Sequence, residues 1–214
     1  MAKNYYPVYL DLEGEACLVV GGGTIAQRKV EGLLTAGANV TVIAPDTTGY
    51  IAELAARQRI RWIRAAYQTG RLEGMRLVIG ATDNPTVNER VFLDARAAGI
   101  PVNIVDDPDH CTFIVPAIWR KGDIVAAVGT GGGAPGVSSR LRDEIGTALD
   151  RGYDVLVATL KSCRERIKAL PLTAKKRFRA RVRALDIDFY RNRPDELRDT
   201  IARWVVEARR EAAQ

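Results

Sequence analysis

Two short stretches hold the residues whose types and spacing could do chemistry. The first is "VVGGGTIAQRK", Val19 to Lys29, where an apolar run enters three glycines and leaves as a helix. A strand-to-helix turn points several backbone N–H groups outward, and with the helix dipole they make a seat for an anion. Gly21 permits the turn, Gly23 lets a pyrophosphate approach the backbone, and Ala26 at the third position permits close packing of helix on strand. The pattern GxGxxA therefore reads as a dinucleotide site, the plain alternative being a tight turn with no ligand.

The second stretch is "NIVDDPDHCT", which offers Asn103, Asp106, Asp107, Asp109, His110 and Cys111. Clustered acids and an imidazole raise the question of a metal, but "DDPD" is also ordinary turn composition. His110 is the only histidine, which removes any two-histidine site. It is either a base near neutral pH or a solvent-facing loop residue. "GATDNP" adds Thr82 and Asp83 at another strand end. In many dinucleotide folds an acid at the end of the second strand binds the adenine ribose. Here that strand ends "VIAPD", so the nearest carboxylate is Asp46, after Pro45, and no arginine stands there. NAD is expected over NADP.

Positioning these groups requires an open α/β sheet, in which ligands bind at the C-terminal ends of the strands. "ACLVVGG", "NVTVIAP", "IRWIRAAY", "LVIGATD" and "IPVNIVDD" read as strands. "TIAQRKVEGLLTAG", "GYIAELAARQ" and the Asn84-capped, Pro85-initiated "TVNERVFLDARAAG" read as helices. Continuous apolar strands alternating with helices predict a doubly wound parallel sheet covered on both faces. After Asp107 the rhythm changes. "TFIVPAIWR" and "DIVAAVGT", joined by "KG", predict a hairpin outside that sheet. A helix follows with Val137, Leu141, Ile145 and Leu149 spaced four apart, and from Tyr153 three amphipathic helices are expected.

The net charge of +6 sits in the tail: residues 161–214 hold 16 Lys and Arg against 8 Asp and Glu. Such a segment faces nucleic acid, a membrane surface or an acidic small molecule, or is a solvated helix face. Cys17, Cys111 and Cys163 are widely spaced with no CxxC, which argues against a disulfide framework or a cysteine zinc site. No apolar run reaches the roughly 20 residues that span a bilayer, and the N-terminus lacks a signal-peptide apolar region. The expected location is the cytoplasm.

"VVGGGTIAQRK", "VTVIAPD", "GATDNPTVNERV", "VNIVDDP", "FIVPAIWRKGDIVAAVGTGGGAP" and the helical tail resemble, in order and spacing, the precorrin-2 dehydrogenase family of siroheme synthesis. The match is to its stand-alone form, without the methyltransferase module fused behind it in some members. The resemblance implies NAD-dependent oxidation of precorrin-2 to sirohydrochlorin, followed in some members by insertion of ferrous iron into sirohydrochlorin. It implies a Rossmann domain over 1–112, a β-hairpin dimerisation segment over 113–150 and an all-helical domain over 151–214. The tetrapyrrole would bind in a cleft that a homodimer helps form, with no membrane or nucleic acid as partner. Carried over by position, the cofactor contacts fall on Gly21, Gly22, Gly23, Thr24, Ile25, Pro45, Asp46 and Thr82. The catalytic carboxylate falls on Asp106, and substrate contacts fall on Asn103 and on Thr130, which stands where some relatives carry serine. No metal ligand is assigned. Substrate carboxylates would give the basic tail a purpose, since arginine pairs well with them.

Two rivals make different demands. An NAD-sensing regulatory domain, as in potassium-uptake regulators, needs the glycine turn but no catalytic carboxylate, and does not predict the hairpin block. A nucleic-acid binder through "KKRFRARVRAL" would use Lys175, Lys176, Arg177, Arg179, Arg181 and Arg183, yet Phe178, Val182 and Leu185 form an apolar stripe on the same helix.

Overall fold

The run Ala16–Val20 forms strand β1, and Cys17 to Val20 are buried because both faces of the sheet around it are covered. A computed structural model describes residues 4–211. In it β1 lies at the centre of a five-stranded parallel sheet with β2 (Asn39–Ile43), β3 (Arg61–Ile63), β4 (Leu77–Gly80) and β5 (Val102–Ile104), ordered β3-β2-β1-β4-β5. Val19 pairs with Val42 on one side and Ile79 on the other. Helices α1 (Thr24–Thr35) and α2 (Gly49–Ala56) bury Ala26, Val30, Leu33 and Ile51 against one face. Helix α3 (Pro85–Ala97) buries Val91 and Ala95 against the other. The doubly wound sheet is as expected. Chain order reverses between β1 and β4, which makes the C-terminal strand ends there the place where open sheets of this kind bind ligands.

The chain divides into two compact units, residues 1–115 and 116–214. In the second, β6 (Ala117–Lys121) and β7 (Ile124–Val128) pair antiparallel around Gly122 and Asp123. Helix α4 (Pro135–Leu149) lies on this hairpin, and a Cβ at Gly146 would overlap the Trp119 indole. This approach decides which face of α4 turns inward. Its apolar stripe is solvent-facing, with Val137, Leu141 and Ile145 at 52%, 39% and 38% exposure. The hairpin side is held by the small residues Ser138 and Gly146 because Trp119 leaves no room for larger ones.

The tail holds five helices among the described residues where three were expected: α5 (Tyr153–Ser162), α6 (Arg164–Lys168), α7 (Leu172–Arg183), α8 (Ile187–Tyr190) and α9 (Pro194–Arg210). The stripe from Leu156 to Leu170 is broken at Cys163, which leaves helical geometry with ψ near 2° and starts a second short helix. Leu156, Phe178, Leu197, Ile201 and Val205 form the core of this helical part. On α7, Arg177 pairs with Glu211 at the end of α9 at 3.1 Å and Arg181 with Glu207 of α9 at 2.8 Å, so two of the six basic residues of the run are spent on holding two helices together. Among the described residues no helix is long and apolar enough to cross a membrane.

Gly146→Ala should destabilise the protein by about 1–3 kcal/mol through overpacking against Trp119. A urea midpoint equal to that of the parent chain would show that the hairpin and α4 do not depend on this approach.

Candidate active site

The glycine turn is wedged between the ends of the two strands that flank β1. Gly21 has φ +124°, its N–H donates to the Ile43 carbonyl at 2.9 Å, and a Cβ there would strike the Ala81 carbonyl beyond β4. A Cβ at Gly22 would strike the Asp46 carbonyl beyond β2, and the Gly22 carbonyl accepts from the Thr48 N–H at 2.9 Å. Gly23 differs. It is the N-cap of α1, offers no side chain to the helix end, and has open space where a Cβ would stand. The first N–H groups of α1, from Thr24 and Ile25, therefore face a gap rather than a cap, and no acidic side chain occupies the first turn.

Asp106 sits at the end of β5. Its neighbour Val105 continues the pairing with β4 through its N–H to the Gly80 carbonyl at 2.9 Å, and Asp107 N–H returns to the Ile104 carbonyl at 3.3 Å. The resulting turn holds Asp106 exposed at φ +60°, a left-handed conformation that Asp and Asn tolerate better than other side chains. The Cys111 thiol braces this loop from within. Its Sγ lies within hydrogen-bond reach of the Ile104 and Asp107 carbonyls at 3.2 and 3.1 Å. It also accepts from the Ile104 N–H and the Asn103 Nδ2, both at 3.3 Å. Asn103 is 7% exposed and gives its amide also to the Phe113 carbonyl at 3.1 Å. Its side chain thus holds the loop that carries Asp106 and is turned away from solvent.

Other expected residues fall as follows. Thr82, at the end of β4, is knitted to the start of α3, with Oγ1 donating to Asn88 Oδ1 at 2.7 Å and accepting from the Asn84 N–H at 3.2 Å. Pro45 and Asp46 are exposed beyond β2. Gly21 to Ile25, Pro45, Asp46, Thr82 and Asp106 therefore line one edge of one sheet. Thr130 belongs to the second unit, where its hydroxyl meets Ser138 Oγ at 2.9 Å. His110 is committed to Asp107 through Nδ1 at 2.6 Å and packs edge-on against Phe92; the hydrogen bond holds Asp107 below the usual carboxylate range. Among the described residues no three His, Cys, Asp or Glu side chains come together in a way that could hold a metal ion. Burial pushes the Cys17 thiol up to about 11, which makes it an inert part of the core.

Three residues absent from the sequence reading belong to this edge. Lys29, half-buried on α1, carries no hydrogen bond or ion pair among the described residues. Burial, helped by Arg28, pushes its ammonium below the usual lysine range, while the fields of Asp106 and Cys111 push it back up. Helical side chains lean toward the N-terminus, which carries Lys29 up toward the strand ends. Thr47 is packed against Gly22, and its hydroxyl is buried without a partner among the described residues. Arg64, beyond β3, reaches Asp46 at 3.2 Å. The i, i+5 placement of Lys29 after the N-terminus of α1 was the one signal available; strand pairing, which the sequence does not display, brings in the others.

An uncapped helix N-terminus, open space over Gly23 and an orphaned hydroxyl on Thr47 together fit the pyrophosphate and ribose of a dinucleotide. Comparison with known proteins agrees. The NAD(P)-binding family model NAD_binding_7 matches residues 8–117. This chain belongs to that NAD(P)-binding family. It is 44% identical over 169 residues to a siroheme synthase of Methylococcus capsulatus, covering 78% of this chain and 36% of that protein. A siroheme synthase of Methylobacillus flagellatus is 42% identical over 171 residues, covering 80% and 37%. The chain thus spans little more than a third of the length of these curated relatives. Among solved structures, SirC, a precorrin-2 dehydrogenase, superposes with a TM-score of 0.77 at 28% identity, over 95% of this chain and 100% of that one.

Gly23→Ala separates binding from folding in this NAD(P)-binding chain, because its methyl would enter open space. The melting temperature should hold within about 2 °C while dinucleotide affinity, measured by calorimetry, falls at least about tenfold through loss of close approach to the backbone. Unchanged affinity would move the pyrophosphate away from the turn.

Proposed function

We propose that this protein is an NAD-dependent dehydrogenase that oxidises precorrin-2 to sirohydrochlorin in siroheme biosynthesis. The observation that carries the reading is that the glycine turn and Asp106 share the C-terminal edge of one sheet in a chain similar to SirC over 95% of its length. Gly21, Gly22 and Gly23 with the N–H groups of Thr24 and Ile25 hold the cofactor's pyrophosphate, and Pro45, Asp46 and Thr47 hold its adenosine ribose. When bound, NAD supplies the hydride acceptor. The oxidation releases one proton for each hydride, and the exposed carboxylate of Asp106 accepts it from the macrocycle. Lys29, whose ammonium interacts with the Asp106 charge, adds a basic group to this edge that attracts the acidic substrate. Asn103 and Cys111 act through the loop that fixes Asp106, and a substrate contact is assigned to the Thr130 hydroxyl, which is held by Ser138.

The same reading assigns dimerisation to residues 113–150 and a helical domain to 151–214. Support comes from α4, which exposes Val137, Leu141 and Ile145 along one face, where a second copy of the chain would cover them. The three buried cysteines, none of them in a disulfide among the described residues, suit a reducing cytoplasm. Where ferrous iron is a second substrate, Asp106 is placed to take the pyrrole protons that it displaces.

Anaerobic assay of the intact protein with precorrin-2 and NAD should give NADH and the absorption spectrum of sirohydrochlorin; no NADH would end the dehydrogenase reading. Asp106→Asn keeps a residue that tolerates the left-handed conformation and removes only the charge. Turnover should drop about 10²- to 10⁴-fold with NAD affinity unchanged, and full activity would remove Asp106 from the chemistry. Leu141→Glu should convert a dimer into a monomer in sedimentation velocity; a dimer that survives would place the interface elsewhere.

A further inference from the structure

The parallel pairing of Ile43 with Ile63 sets the residues leaving β2 and β3 side by side, and Ala44 N–H continues it to the Ile63 carbonyl at 3.2 Å. Arg64 is thereby carried across to the ribose end of the sheet. Its Nε donates to the Pro45 carbonyl and its Nη2 to Asp46 Oδ1, each at 3.2 Å. Its guanidinium lies 5.5 Å from the centroid of Trp62, and the Trp62 indole N–H is anchored on the Ala44 carbonyl at 3.0 Å. Three holds thus orient a side chain that is otherwise 72% exposed.

A lone carboxylate at this point accepts a ribose 2′-hydroxyl and repels a 2′-phosphate. A guanidinium beside it changes that balance, since its planar fork matches phosphate oxygens and its charge cancels the repulsion. Sequence position hides this, because the arginine comes from β3 and lies 18 residues beyond Asp46. We propose that Arg64 makes the adenosine end of the site accept a 2′-phosphate, so that the protein binds NADP as well as NAD. Asp46 serves the free ribose hydroxyl, and Arg64, released from Asp46, serves the phosphate. The assignment rests on the cofactor seat proposed above.

Calorimetric titration with NAD, NADP and adenosine 2′,5′-bisphosphate tests it without any turnover. The parent protein should bind NADP within about tenfold of NAD. Arg64→Gln should weaken NADP and the bisphosphate by about ten- to a hundredfold, the scale of a charge-assisted hydrogen bond, with NAD changed less than about threefold. Asp46→Asn should shift preference the other way, strengthening NADP and weakening NAD. Raising the salt should weaken NADP more than NAD. Both side chains are exposed, so melting curves should match the parent. NAD binding with NADP more than about a hundredfold weaker, or NADP binding indifferent to Arg64→Gln, would overturn the role of Arg64 and leave the cofactor seat standing. Failure of both dinucleotides to bind would remove the seat and the proposal together.

Discussion

The contact on which the rest of the site depends is backbone against backbone. Gly21 lies against the carbonyl beyond β4 and Gly22 against the carbonyl beyond β2, at distances no side chain would permit. That double approach pins the start of α1 over the centre of the sheet, where the chain order reverses. Any Cβ at either position would push the helix off the sheet, and the N–H groups of its first turn would no longer converge on one point. Gly23 is free of this duty, since a Cβ there would enter open space.

The second constraint is the loop that carries Asp106. A left-handed residue at an exposed turn persists only where its surroundings over-determine it. Here the Val105 link to β4 holds one side, and the Cys111 sulfur, reached by backbone groups of Ile104 and Asp107 and the amide of Asn103, holds the inside. A thiol suits this position because it gathers several polar groups within a buried volume that also counts as apolar core. The carboxylate is therefore presented by a hydrogen-bonded turn at the end of β5, and its charge interacts with that of Lys29.

Much of this was legible in the sequence, for identifiable reasons. Strands buried on both faces write themselves as unbroken apolar runs, so the doubly wound sheet could be read directly, and Asp106 could be placed because it ends such a run. Periodicity was less informative about what covers a face. The stripe on α4 was correctly apolar, yet Trp119 reserves the inner side of that helix for glycine and serine and turns the stripe outward. In the tail, a regular four-and-three spacing concealed the break at Cys163. Arg64 illustrates the deepest limit: its neighbour Asp46 is set by which strands pair and in what register, and neither quantity appears in a linear pattern.

The central claim is that one sheet edge holds both the oxidant and the proton acceptor. Backbone hydrogen exchange of the intact protein tests it most directly, first with NAD and then with sirohydrochlorin added. The account predicts protection of residues 21–26 by the dinucleotide and of residues 104–111 when the tetrapyrrole joins it. Exchange at the glycine turn indifferent to NAD, or tetrapyrrole protection that spares the Asp106 loop, would contradict it.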